Sequence, residues 1–211
     1  MIIKGKKINF LGDSITEGVG VSAPDRKYVE VFARKFEPLI VRNYGISGTR
    51  IARQHTPYHW PQADQDFCMR APMMDADADI VVVFGGTNDF GHGDAPFGSF
   101  EDRTPDTFYG ACHTLMTTLI ERYPAAEIVL MTPLHRARET REGVRDLCEY
   151  VQAIRCVAAY YALPVLDLYT MSGIQPQNEV NRRQYAPDGL HPNDAGAERV
   201  ADRLGAFLLS L

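Results

Sequence analysis

The sequence predicts an α/β fold in three layers, a mostly parallel sheet with helices on both faces. Short apolar runs alternate along the chain with segments whose apolar residues recur at helical spacing. Such alternation implies crossover connections and therefore parallel strands. The clearest run, Asp79-Ile80-Val81-Val82-Val83-Phe84, has no polar alternation, as expected of a strand covered on both faces. The other observation is where the runs stop. Three of them end in glycine-rich or polar turns: Gly12-Asp13-Ser14, Gly45 to Gly48, and Gly86-Thr87-Asn88-Asp89. In an open α/β sheet, ligands bind outside the carboxyl ends of the strands.

The first strand is Ile8 to Leu11. After a loop over Gly18 to Pro24, Asp25 is expected to cap a helix whose apolar positions are Val29, Phe32, Ala33 and Phe36. Leu39-Ile40-Val41 gives a second short strand, followed by Arg42-Asn43-Tyr44-Gly45-Ile46-Ser47-Gly48-Thr49. Pro57, Pro61 and Pro72 punctuate residues 50–78, where a short helix near 61–70 is the reading. Residues 90–105 are rich in Gly and Pro and read as a loop.

Phe108, Cys112, Leu115, Met116, Leu119, Ile120 and Tyr123 mark an amphipathic helix. Glu127 to Met131 is the next strand. Val144, Leu147, Cys148, Val151, Ile154, Ala158 and Tyr161 mark another helix, and Pro164 to Leu168 the last strand. A long loop containing Asp188 and His191 then leads to Asn193. This residue is expected to cap a terminal helix with Val200, Leu204, Phe207 and Leu208 on its inner face. With no repeat or linker composition, residues 1–211 read as a single domain.

Composition narrows the function. A formal net charge of −5 argues against a nucleic-acid or anionic-membrane partner. No apolar run approaches the roughly 18 residues of a membrane helix. The first residues lack a signal-like apolar segment, so the expected location is cytoplasmic. Cys68, Cys112, Cys148 and Cys156 form no C-x-x-C pair, and read as free, buried thiols rather than a disulfide framework. His55 and His59 have the spacing of a metal pair, but Pro57 between them opposes a helix and no third ligand is near, so no metal site is expected. The Gly12 to Gly20 loop lacks the Lys-Ser/Thr ending of a phosphate-binding loop. Arg136, Arg138, Arg141 and Arg145, with Glu139 and Glu142 between them, read as a solvated loop and helix start rather than a substrate clamp.

The remaining polar residues suit acyl transfer. A serine hydroxyl needs a base to take its proton, and the base needs a carboxylate to fix its tautomer. Ser14 supplies the hydroxyl. Asp188-Gly189-Leu190-His191-Pro192 supplies carboxylate and imidazole close enough for a single turn to bring them together. Asn88 offers a side-chain N–H, Gly48 an unobstructed backbone N–H and Ser14 its own, for the charge that develops on a carbonyl oxygen.

In order and placement, these four blocks resemble the SGNH hydrolases, the GDSL-type esterases and lipases. The resemblance spans nearly the whole chain, with Ser14, Gly48, Asn88 and His191 matching the four residues of the family name; Ile15 stands where the GDSL pattern has Leu. It implies a flavodoxin-like three-layer sandwich, with Ser14 as nucleophile, His191 as base and Asp188 as its partner. It also implies an oxyanion hole of Ser14, Gly48 and Asn88. The expected reaction is cofactor-independent hydrolysis of a small-molecule ester through an acyl-serine. Short acyl groups, and acetyl esters of carbohydrate first, are the expected substrates. Lysophospholipid or thioester cleavage is the alternative within the family, and a non-catalytic nucleotide- or sugar-binding domain the alternative outside it. Asp13 beside the serine, with Phe90, His92, Phe97 and Phe100 just after Asn88, are the candidate substrate contacts. A homo-oligomer is left open.

Overall fold

A computed structural model describes residues 1–211. Five parallel strands run in the order β2-β1-β3-β4-β5, with β1 Lys7–Gly12, β2 Ile40–Gly45, β3 Ile80–Phe84, β4 Glu127–Met131 and β5 Val165–Leu166. This is the flavodoxin-like order, in which the chain leaves β1 toward one edge and returns at β3 toward the other. The connection from β1 to β2 therefore lies on one face and those from β2 onward to β5 on the other, and a crevice opens at the carboxyl ends of β1 and β3.

The α/β alternation fills both faces. Along β3, Val81 and Val83 pack with Leu115, Met116 and Leu119 of α5 (Phe108–Arg122) and Ile154 and Val157 of α6 (Leu147–Tyr160). Ile80, Val82 and Phe84 face the other way, onto Val29 and Phe32 of α2 (Tyr28–Phe36) and Val200, Leu204 and Leu208 of α9 (Asp194–Ser210). The two-residue period of a strand therefore feeds two separate cores. At about 25 cal/mol per Å² of buried apolar surface, each of these fully covered side chains contributes roughly 1.5–3 kcal/mol before conformational entropy is counted. The shorter helices are α1 Ser14–Glu17, α3 Phe67–Arg70, α4 Thr87–His92, α7 Leu168–Met171 and α8 Glu179–Tyr185. No helix is long and apolar enough to cross a membrane.

Helix starts follow local chemistry. Thr107 caps α5 through Gly110 N–H, Asp146 and Glu149 form a reciprocal capping box on α6, and Asn193 caps α9 through Gly196 N–H as expected. Asp25 does not cap α2. It lies in a separate 3₁₀ turn, Pro24–Arg26, and Lys27 is extended at ψ 143° before the helix begins, so its carboxylate is out of register with the free N–H groups. The second strand runs on to Gly45, with Leu39 outside it and exposed. The 61–70 region splits into a 3₁₀ turn, Pro61–Asp64, and α3. The expected long loop before Asn193 contains α7 and α8. Cys68 and Cys112 are buried thiols, whereas Cys148 is exposed because it falls on the outer side of α6.

Candidate active site

Each candidate residue stands at the same edge of the sheet. Ser14 opens α1 directly after β1, and its place depends on glycines. A Cβ on Gly45 would lie 2.2 Å from the Glu17 backbone nitrogen, and one on Gly12 2.0 Å from Thr16 Oγ1. Only bare backbone at the ends of β1 and β2 lets α1 sit this low against the sheet. Asp13 caps α1 by accepting from Ile15 N–H at 3.0 Å.

His191 reaches back from the far end of the chain. Its Nε2 lies 3.0 Å from Ser14 Oγ, and its Nδ1 2.6 Å from Asp188 Oδ2. The other Asp188 oxygen accepts from Leu190 N–H at 2.9 Å and His191 N–H at 2.7 Å, closing a tight turn. Burial pushes the Asp188 carboxyl up, but the His191 ring and these two N–H groups outweigh it and hold it below the ordinary carboxylate range. An ionised carboxylate only accepts, so it sets the proton on Nδ1 and leaves Nε2 free to accept from the serine.

The loop after β2 and the start of α4 face this chain. Gly48 takes φ +77°, a left-handed turn that a side chain would strain. Ser47 N–H donates to Glu17 Oε2 at 2.6 Å, and its hydroxyl donates to the same oxygen, which fixes the turn to α1. Asn88 Nδ2 donates to Thr49 O at 3.0 Å. Asp89 accepts from Ile51 N–H at 3.0 Å and Ala52 N–H at 2.9 Å; burial raises its carboxyl to about 6 despite these bonds. The buried Arg70 donates to Gly12 O at 3.1 Å, Tyr44 O at 2.6 Å and Thr49 Oγ1 at 2.9 Å, tying the ends of β1 and β2 together.

A cavity of about 380 Å³ opens over these groups, lined by Ser14, Ser47, Gly48, Asn88 and His191, with Val19, Leu190, Tyr58, Trp60, His92 and Arg136 as its walls. Residues 10–199 match the GDSL-like Lipase/Acylhydrolase family model. The chain belongs to this family of SGNH hydrolases. Ser14, Gly48, Asn88 and His191 thus converge on one cavity in a GDSL fold. A GDSL lipase of Mycobacterium tuberculosis is 26% identical, over 94% of this chain and 79% of the relative. An acetylxylan esterase of Xylanibacter ruminicola is 25% identical over 96% of this chain, which spans only 43% of that longer protein. The crystal structure of a Lactobacillus plantarum protein superposes with a TM-score of 0.86 at 30% identity, covering 99% of this chain and 98% of the other.

The expected substrate contacts divide. His92 lines the cavity, but Phe90, Phe97 and Phe100 do not. Phe90 is buried in the α5–α6 core because α4 continues through it and turns that side chain inward. Phe97 packs on Phe108, Tyr109 and Tyr150, and Phe100 on His113, Tyr109 and Tyr160. Aromatic rings close to Asn88 in sequence were thus drawn to apolar partners rather than to the wetter cleft. Asp13 is buried beneath Ser14, outside the cavity lining, and burial raises its carboxyl to about 7.

Arg136 reverses its expected role as a solvated residue. It is half-buried, lines the cavity, and donates through Nη1 to Thr87 O at 2.7 Å. A signal existed: Arg136 follows β4 closely, and every other strand-end loop up to that point contributes to the site. Tyr58 and Trp60 had no such signal, since they come from the proline-punctuated stretch far from any strand end.

Proposed function

We propose that this protein is a serine esterase that cleaves short-chain carboxylic esters, acetyl esters of carbohydrate foremost, through an acyl-serine intermediate. The observation that carries the reading is the continuous chain Ser14 Oγ–His191 Nε2 at 3.0 Å and His191 Nδ1–Asp188 Oδ2 at 2.6 Å.

Ser14 Oγ attacks the ester carbonyl carbon while His191 Nε2 takes its proton. Asp188 stabilises the imidazolium that results. The carbonyl oxygen becomes anionic and meets Ser14 N–H, Gly48 N–H and the Asn88 amide. The first N–H of a helix has no intrahelical acceptor, so that of Ser14 is free for this task. Asn88 spends one amide hydrogen on Thr49 O, which aims the other. Collapse of the intermediate expels the alcohol, protonated by Nε2–H. Water, deprotonated by the same nitrogen, then releases the acid and restores Ser14.

A cavity of about 380 Å³ lies toward the small end of ligand pockets, roughly 300–1,000 Å³, which supports short acyl groups. The exposed Trp60 offers a flat apolar face beside it, of the kind that sugar rings pack on. The relative named an acetylxylan esterase supports the same substrate class. The test is hydrolysis of p-nitrophenyl acetate and of acetylated xylan oligosaccharides by the parent protein and by Ser14→Ala. Turnover by the parent that disappears in the variant supports the reading; equal turnover in both overturns it.

A further inference from the structure

The cavity carries one formal charge beyond the proposed triad, and nothing in the ester mechanism above uses it. Arg136 is half-buried at the cavity wall, and no carboxylate lies within ion-pair distance of its guanidinium. Its only hydrogen bonds from the side chain go to Thr87, through Nη1 to the carbonyl at 2.7 Å and the hydroxyl at 3.3 Å. The remaining N–H groups of a planar five-donor fork are uncommitted. The nearest acids are Asp13, Glu139 and Asp188. Asp13 is buried and holds its proton up to about 7, Asp188 is engaged by His191, and Glu139 accepts from His135, Tyr169 and the Arg136 backbone N–H. The guanidinium lies over the Phe90 ring, 5.2 Å from its centroid, with no carboxylate in ion-pair contact, so a half-buried positive charge is left facing the cavity.

His92 stands beside it. The buried Arg50 donates through Nη1 to His92 Nδ1 at 2.9 Å. Arginine has no acceptor, so Nδ1 must accept, and the ring proton is placed on Nε2. Burial, reinforced by the Arg50 and Arg136 charges, lowers His92 to about 4 and keeps it neutral. Arg50 is itself held by Ala63 O at 2.9 Å and Asp64 Oδ1 at 3.1 Å, and Tyr58 stacks on the His92 ring at 5.0 Å. His92 is therefore a fixed, neutral N–H donor at the cavity wall. Gly91, which precedes His92 on α4, is what admits Arg136: a Cβ there would lie 2.6 Å from Arg136 Nη1.

We propose that Arg136 and His92 bind a carboxylate on the substrate, so that among the esters this protein cleaves, acetylated carbohydrates included, those that also carry an acid group are preferred. One unit of positive charge with an adjacent neutral donor suits a monoanion, and the guanidinium fork matches carboxylate geometry. The inference rests on the ester-hydrolase reading for the word ester, but its test does not need turnover.

The experiment measures binding by calorimetry to Ser14→Ala, using two pairs of esters. 4-Acetoxybenzoate against its methyl ester places the charge on the leaving group; monophenyl succinate against methyl phenyl succinate places it on the acyl group. The charged member of at least one pair should bind about tenfold or more tightly than its neutral partner, as hydrogen bonds to a charged group warrant. Which pair responds identifies the side of the ester that carries the carboxylate. Arg136→Gln should abolish that preference. Gly91→Ala, which favours the helix and leaves every charge in place, should reduce it by displacing the guanidinium. Equal binding within both pairs, or a preference that survives Arg136→Gln, overturns the proposal. Loss of the hydrolase reading would show instead as turnover persisting in Ser14→Ala, so the two failures are distinct.

Discussion

The side-chain amide of Asn88 donates to the carbonyl oxygen of Thr49 at 3.0 Å, and so ties the start of α4 to the turn that carries Gly48. Two donors proposed for one oxyanion, from loops after different strands, are thereby held in a fixed relation. Preorganisation of this kind is what gives such donors their effect, because nothing must reorient as charge develops.

On that reading Asn88→Ala should lower kcat by about 10²–10³ with KM little changed. Losing the Thr49 tether should also cost about 1 kcal/mol of stability. Steady-state kinetics and melting on the same preparations separate the two effects. A variant that melts early yet turns over at the parent rate would remove Asn88 from the oxyanion site.

Ser14→Ala and His191→Ala should each remove nearly all turnover, and a serine-directed phosphonate should label Ser14 alone. Asp188→Asn should be milder. A buried triad aspartate is worth on the order of 10⁴ in kcat, but the Asp188 side chain is 54% exposed and shares its His191 partner with solvent screening. A loss as large as that of Ser14→Ala would contradict this ranking.

Two buried acids make stability pH-dependent. Asp13 is raised to about 7 and Asp89 to about 6, chiefly by burial. Unfolded carboxyls titrate near ~4, so between there and about 7 the folded state binds more protons than the unfolded state. Their contribution is therefore fully present below that window and is lost as pH rises through it. Asp13→Asn, which keeps an acceptor for Ile15 N–H, should gain stability relative to the parent from pH ~4 to ~8. Urea unfolding at several pH values checks this; a constant difference between the two proteins would refute it.

A packing prediction tests the opposite face. A Cβ on Gly205 of α9 would lie 1.9 Å from Cζ of Phe36 on α2. Gly205→Ala should cost roughly 1–3 kcal/mol through overpacking, although alanine favours a helix. Adding Phe36→Leu should restore most of the loss. Thermal melts of the two variants decide it.

Much of this protein was legible in its sequence because the relevant signals are local. The unbroken run Ile80–Phe84 declares a strand covered on both sides, and the 3.6-residue recurrence from Phe108 to Leu119 declares the helix that covers it. That Ser14, Gly48, Asn88 and His191 would lie near one another was legible because each sits at a strand end or beside the last helix, and those positions share one edge whenever the sheet is parallel. The strand order β2-β1-β3-β4-β5 then only had to bring them together.

Side-chain destinations were decided by the tertiary structure. Phe90 is nearer to Asn88 in sequence than His92 is, and Phe97 and Phe100 follow in the same loop, yet of these four only His92 lines the cavity. Sequence distance does not say which way a residue on a short helix points, and apolar rings go where apolar partners wait. Arg136 shows the converse: a run of arginines and glutamates has the composition of a solvated surface, and one member is drawn inward by the Thr87 carbonyl and the space over Gly91. Charge and hydrophobicity are properties of residues, which a sequence states outright. Whether a given charge meets water, a partner or a cleft depends on contacts between segments far apart in the chain, and those exist only once the chain has folded.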